Sequence, residues 1–153
     1  HRAEREEGPV HGPARIAGGR PPGSSREKVA PRPAPSQGWR MDFTKKRCVP
    51  CEGGIPAKTP AEVDEALRSL DGWDARDGKK LIHRHFRFKD FVEAMRFVNA
   101  LAALAEAEGH HPDFAVHWNT VDVTLWTHAI GGLSENDFIV AAKLDALPEA
   151  RPR

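Results

Sequence analysis

Hydrophobic positions recur at helical and then strand spacing from residue 59 onward. The segment Thr59-Pro60-Ala61-Glu62 has the features of a helix start, because threonine caps helix N-termini and proline is tolerated in the first turn. Asp71-Gly72 is a typical helix stop. The hydrophobic residues between them follow helical spacing: Val63, Ala66, Leu67 and Leu70. The pattern predicts a first helix.

A predicted β-hairpin follows this helix. Residues 73–76 and 79–88 favour strands, and the turn-forming pair Asp77-Gly78 separates them. The second strand alternates between two faces, one with Ile82, Phe86 and Phe88, the other with Leu81, His83 and His85.

The strongest helical pattern begins after Asp90 and ends at Gly109. Its apolar stripe is Phe91, Ala94, Met95, Val98, Leu101, Ala102 and Ala105. Two further strands, 114–118 and 120–127, are predicted around a turn at Asn119. Ser134, with Asp137 three residues later, resembles a capping box and predicts the last helix.

The predicted order of elements is α-β-β-α-β-β-α. Hairpins separated by helices favour an α+β fold, with a four-stranded antiparallel sheet covered by three helices on one face. The exposed edge of so small a sheet makes pairing with a second subunit plausible, as a homodimer or homotetramer.

Charge divides the chain near Met41, its first methionine. Residues 1–40 hold eight basic and four acidic side chains (+4), together with seven of 13 Pro and six of 13 Gly, whereas the other 113 residues hold 15 basic and 18 acidic groups (−3). We expect residues 1–40 to be a disordered basic arm, appended or translated from upstream, residues 41–58 an N-terminal extension, and residues 59–148 the folded domain. The mildly acidic domain argues against nucleic-acid binding.

Membrane and secretory classes are also disfavoured. The longest run without a charged residue, Val123 to Ser134, has 12 residues, where a membrane-spanning helix needs about 20. Two cysteines do not make a disulfide scaffold, so we expect a cytoplasmic protein. Cys48-x2-Cys51 could be half of a zinc site or a redox pair, but it stands alone, and an inert element is favoured.

Histidine density is the main chemical signal of the predicted domain. Six of the eight histidines lie there, at positions 83, 85, 110, 111, 117 and 128. Glu106 and His110 are four residues apart, so they should meet on one helical face as the helix ends. His110, His111 and His128, which follows a strand, could then converge on one cleft with Glu106 and Asp137. Imidazoles titrate near neutral pH and therefore suit proton transfer in both directions. A zinc site that uses His83-x-His85 is the competing interpretation.

The spacing of these residues resembles a known family. Glu106-x3-His110-His111-Pro112, followed by Trp118, His128 and Asp137, is similar to the signature of pterin-4a-carbinolamine dehydratases. Two flanking segments agree, Lys45 to Gly54, typical of bacterial members, and Thr127 to Asp137. The resemblance covers about residues 42–147 without a visible gap.

The resemblance implies an α+β fold and a hydro-lyase. Such enzymes dehydrate 4a-hydroxytetrahydrobiopterin to quinonoid dihydrobiopterin, without metal or organic cofactor, and so recycle the pterin of aromatic amino acid hydroxylases, phenylalanine hydroxylase among them. On this basis His110 and His128 would transfer protons and His111 would hold the 4a-hydroxyl. Glu106, Asp137 and Trp118 would bind substrate or orient imidazoles, although packing is favoured for Trp118. The alternative function is a non-catalytic dimerisation, assembly or transcriptional coactivator module of the same fold.

Overall fold

The computed structural model describes residues 40–50 and 55–151. The predicted arm therefore lies outside the described residues, except for Arg40, and so does Cys51. Three helices, α1 (Pro60–Leu67), α2 (Phe91–Glu108) and α3 (Glu135–Ala146), and four strands, β1 (Asp74–Arg76), β2 (Leu81–Arg87), β3 (Asp113–His117) and β4 (Thr120–Leu125), follow the predicted order. None of the described helices is long and apolar enough to cross a membrane.

The four strands form one antiparallel sheet in the order β1-β2-β4-β3. The hairpin partners Asp113 and Thr124 mark one end of the β3–β4 pair, and His117 and Thr120 mark the end at the turn. The predicted α+β class, with an antiparallel sheet, is thus confirmed.

The core lies between the sheet and the helices. Alternation along β4 buries Val121, Val123 and Leu125 completely, as the sequence pattern predicts. The rings of Phe86 and Phe97 pack with their centroids 4.6 Å apart, which ties β2 to α2. Burial of such rings removes a large apolar area from water and so stabilises the fold.

The predicted apolar stripe of α2 is wrong at two positions and incomplete at a third. Phe91 is 50% exposed, and Ala102 is exposed, whereas Phe97, which the stripe omits, is fully buried. Phe91 and its neighbour Val92, which is 58% exposed, begin the helix, and the fully buried positions start at Ala94. Periodicity alone does not show which turns of a helix are covered by other elements.

Helix caps set the positions of α1 and α3. Thr59 and Glu62 form a complete capping box at the start of α1, and Ser134 and Asp137 form another at the start of α3. Each cap satisfies backbone N–H groups that the first turn leaves without helical partners. The box at α3 also fixes the carboxylate of Asp137, whose side chain is fully buried.

Candidate active site

The end of α2 directs two neighbouring histidines to different places. Gly109 adopts a left-handed conformation (φ 62°), and the His110 N–H donates to the Ala105 carbonyl at 3.2 Å, which completes a Schellman-type helix end. Glycine tolerates this conformation because it lacks a Cβ. The chain turns at this point, so His110 becomes buried (8% exposed) while His111 stays on the surface.

His110 is hydrogen-bonded to Asp137. The distance between His110 Nε2 and Asp137 Oδ1 is 2.7 Å, and both side chains are buried. A carboxylate only accepts, so Nε2 donates and Nδ1 is the nitrogen available for proton exchange. The second carboxylate oxygen accepts from the Thr127 hydroxyl at 2.8 Å and the Ser134 N–H at 2.7 Å. Asp137 therefore holds His110 in one tautomer and orientation.

Glu106 contacts a different histidine from the one its spacing predicts. Its Oε1 lies 2.8 Å from His111 Nε2, and both side chains are largely exposed. The prediction that Glu106 and His110 meet on one helical face is wrong, because the left-handed Gly109 ends the helix before His110. Glu106 instead orients His111 at the rim of the site.

His128 does not lie on strand β4, because two residues separate it from the end of that strand. β4 ends at Leu125, and His128 begins a 3-10 turn that ends at a left-handed Gly131. Its ring packs on Trp126, with centroids 3.8 Å apart, and its Nε2 lies 3.6 Å from Asp113 Oδ2. Trp126 Nε1 donates to the same Asp113 oxygen at 2.8 Å. Trp126 and Asp113 thus support an imidazole that is itself 60% exposed.

These residues line one cleft of about 320 Å³, near the lower end of the range for small-molecule sites. Its lining is Gly109, His110, His111, Pro112, Asp113, Trp126, Thr127, His128 and Ala129. The cleft therefore combines three imidazoles, one of them buried and held by a carboxylate. Such a set can donate a proton at one substrate atom and accept one at another.

Trp118 does not lie in this cleft. It occupies the β3–β4 turn with a left-handed backbone (φ 49°) and is 68% exposed. At about 3.3 Å per residue, the strand places this turn some 13 Å or more from the cleft end of β3. Its exposure shows that the packing role predicted for Trp118 is wrong within the described chain, and Trp118 is not among the residues that line this cleft, so its role toward substrate stays a prediction.

Three residues of the cleft were missed at the sequence level: Asp113, Trp126 and Thr127. The sequence does contain a signal for one of them, since Trp126 lies two residues before His128 and residues two apart share a side of an extended chain. The residue spacing does not indicate the roles of Asp113 and Thr127, because Asp113 acts through its contact with Trp126 and Thr127 through its contact with Asp137. Short-range spacing does not encode those contacts.

His83 and His85 lie on the open face of the sheet and do not line the cleft. Both contact the same oxygen of Asp122, His83 Nε2 at 3.1 Å and His85 Nδ1 at 2.8 Å. The His85 hydrogen bond leads the interactions that lower the pKa of Asp122. Within residues 40–50 and 55–151, no group of three or more His, Cys, Asp and Glu side chains is arranged to hold a metal ion.

A larger hollow of about 560 Å³ lies between α2 and the C-terminal residues. Its lining is Glu93, Arg96, Asn99, Ala100, Glu149 and Arg151. The two arginines and two glutamates balance in charge, and none of the described residues that line the hollow carries an imidazole, thiol or hydroxyl. The smaller histidine cleft is therefore the better candidate for chemistry.

Comparisons with known proteins identify the family of the chain. A family model described as pterin 4 alpha carbinolamine dehydratase matches residues 56–147. The chain belongs to that family. It is 48% identical over 106 residues to a Nitrosospira multiformis protein, covering 69% of this chain and 92% of the relative. It is 49% identical over 107 residues to one from Nitrosomonas europaea, covering 69% and 93%. Both relatives are provisionally named pterin-4-alpha-carbinolamine dehydratases.

A solved structure is similar as well. It is described as a transcriptional coactivator/pterin dehydratase from Brucella melitensis, with 46% identity and a TM-score of 0.57, and the match covers 59% of this chain and 96% of that one. The comparisons therefore support a pterin dehydratase by family.

Proposed function

We propose that this protein dehydrates 4a-hydroxytetrahydrobiopterin to quinonoid dihydrobiopterin by histidine acid and base catalysis. The observation that carries the proposal is the buried His110, hydrogen-bonded to Asp137 in a cleft that also presents His111 and His128. The reaction needs a proton donor and a proton acceptor at separate atoms of one small molecule. Three imidazoles around one cleft supply both.

The dehydration breaks one C–O bond and one N–H bond. In our assignment a protonated imidazole gives its proton to the 4a-hydroxyl, which leaves C4a as water. A neutral imidazole takes the proton from N5, and the electron pair of the N5–H bond completes the C4a=N5 double bond. Atoms and charge balance, and the two imidazoles exchange protonation states, which solvent restores.

His110 and His128 are the residues to which we assign the proton transfers. His110 is held by Asp137, which stabilises the imidazolium when it forms, as carboxylates do for histidine bases elsewhere. His128 is exposed at the cleft mouth, where it exchanges protons with water. His111, oriented by Glu106, is assigned to hold the 4a-hydroxyl.

The partners follow from the same proposal. The substrate is a product of pterin-dependent aromatic hydroxylation, so we place the protein after a phenylalanine hydroxylase. We also propose a homodimer or homotetramer, because the described chain pairs β3 only with β4 and leaves its outer edge open. Size-exclusion chromatography with light scattering measures the oligomer directly.

A kinetic assay tests the catalytic proposal. The full chain is mixed with freshly generated 4a-hydroxytetrahydropterin, and dehydration is followed by absorbance, with the uncatalysed rate subtracted. His110→Ala and His128→Ala should each lower kcat by about 10² or more. His85→Ala is the matched control, because His85 also pairs with an aspartate but lies outside the cleft.

Two results would contradict the proposal. If both cleft variants keep near wild-type turnover, the assignment of the histidines is wrong. If the wild-type chain does not exceed the uncatalysed rate, the non-catalytic alternative of the same fold becomes the better interpretation.

A further inference from the structure

The segment Lys46–Val49, here called the N-terminal strap, is hydrogen-bonded to the end of α2 and the start of α3. The backbone N–H of Cys48 donates to Glu108 Oε2 at 3.0 Å. The next residue, Val49, pairs with Asn136 through two bonds: its N–H donates to Asn136 Oδ1 at 3.1 Å, and its carbonyl accepts from Asn136 Nδ2 at 2.7 Å. Two consecutive strap residues therefore bind two different helices.

The helical residues that the strap contacts stand next to the buried pair of the cleft. Glu108 is the last residue of α2 and is separated from His110 only by Gly109. Asn136 directly precedes Asp137 in the first turn of α3. The hydrogen bond between His110 and Asp137 spans the same two helix ends that Cys48 and Val49 join.

The contacts to α2 are buried and charged. Glu108 forms an ion pair with Lys143 of α3, and the two side chains are only 10% and 16% exposed. Desolvation opposes ionisation of Glu108, but the ion pair and the hydrogen bonds from Cys48 lower its pKa. A charge-assisted bond to such a carboxylate is among the stronger kinds of hydrogen bond. Glu108 therefore attaches the end of α2 both to α3, through Lys143, and to the strap, through Cys48.

We propose that the N-terminal strap is a positioning element of the active site. It sets the separation between the end of α2 and the start of α3, and through it the hydrogen bond that orients His110 toward the cleft. Asn136 and Glu108 act as positioning residues, since neither lines the cleft. The catalytic part of this inference rests on the proposed function. Catalysis is sensitive to small displacements of reacting groups, so a loosened strap should lower turnover.

The test uses the full chain with Asn136→Ala, which removes both bonds to Val49. We expect kcat to fall about tenfold with KM within about twofold, because His110 is displaced while the rest of the cleft is kept. The ¹⁵N resonances of the His110 ring, assigned by comparison with His110→Ala, should lose the signature of a hydrogen-bonded Nε2–H. Glu108→Gln, a nearly isosteric change, weakens the bond between Glu108 and the Cys48 N–H and should shift the same resonances. If Asn136→Ala does not fold, this second variant is used to test the proposal.

Lys45→Ala is the matched control. It removes an exposed ion pair with Asp42 just outside the strap and touches neither Glu108 nor Asn136, so kcat and the ring resonances should stay at wild-type values. A folded Asn136→Ala or Glu108→Gln variant with unchanged kcat and unchanged His110 resonances would overturn the proposal, even if its melting temperature fell. The ring resonances report on the strap even if the wild-type chain shows no dehydratase activity, so the two proposals fail separately.

Discussion

His110 and Asp137, 27 residues apart in sequence, form a buried 2.7 Å hydrogen bond at the base of the histidine cleft. The same aspartate caps the helix that carries it and accepts the Thr127 hydroxyl. One carboxylate thus links helix α3, the segment after β4 and the second residue after α2. Its removal should affect both the stability of the fold and the chemistry of the cleft.

We expect Asp137→Asn to lower kcat by at least about tenfold, because an amide can present its NH2 group to His110 and disturb the tautomer. The variant should also lose about 1–3 kcal/mol of unfolding free energy, since several buried bonds to a charged acceptor are weakened. Steady-state kinetics and urea denaturation measure the two effects. Asp122→Asn is the control: its carboxylate also holds histidines, but on the open face of the sheet, so its turnover should match that of the wild type.

Trp126 should matter through its contact with His128. Trp126→Leu removes both the ring that packs on His128 and the hydrogen bond to Asp113, and we expect about a tenfold loss of kcat/KM. Trp126→Phe keeps an aromatic ring and should lose only about threefold. Kinetics of the two variants separate the ring contact from the hydrogen bond.

Trp118→Leu tests where Trp118 acts. A loss as large as that of Trp126→Leu would show that Trp118 reaches a cleft after all, for example that of a second subunit.

The thiol of Cys48 should be unreactive in the native protein. Burial raises its pKa to about 12, and the neighbouring Glu108 carboxylate adds to the increase. Relative to an ordinary thiol, roughly 10³ times less thiolate is present at pH 8. Iodoacetamide labelling mapped by mass spectrometry should therefore be slow at Cys48 in native protein and fast in urea. Rapid native labelling of this residue would favour the redox interpretation of the Cys48-x2-Cys51 motif.

Asp145 should make stability depend on pH in an unusual direction. Burial raises the pKa of Asp145 to about 6, although the charge of Arg84, whose Nη1 lies 2.6 Å away, favours the carboxylate. The folded-state pKa of Asp145 lies above the unfolded value, so the folded protein binds a proton at this carboxyl more tightly than the unfolded chain does. The contribution of protonated Asp145 to the free energy of unfolding is therefore fully present below about pH 4 and is lost as the pH rises through about 6.

The measurement compares wild type with Asp145→Asn. The difference in their unfolding free energies should fall by about 1–2 kcal/mol between pH 4 and pH 7, after allowance for partial exposure of the carboxylate. Denaturation curves at several pH values give this difference. A difference that grows with pH would mean that the ion pair with Arg84 dominates and that the pKa of Asp145 is lowered.

Local features of the chain could be predicted because they depend on neighbours in sequence. The capping boxes at Thr59 and Ser134 and the inward alternation of β4 are determined within a few residues. The order of helices and strands follows from them, and the resemblance to the family rests on the spacing of His110, His111 and His128. The burial of Phe91 could not be predicted, because the exposure of a helical residue depends on which other elements cover it, which is not a local property.

The sequence alone determined the order of helices and strands, the α+β class and the set of histidines, since each is expressed in residue type and spacing. Only the tertiary structure decided the partners of those histidines. Asp137 pairs with His110 because the left-handed Gly109 turns the chain inward at the end of α2. Because of the same turn, Glu106 is hydrogen-bonded to His111 instead of His110. The strap contacts to Glu108 and Asn136 likewise depend on how two helix ends approach each other. Such contacts join distant parts of the chain, and their geometry exists only after the core has packed.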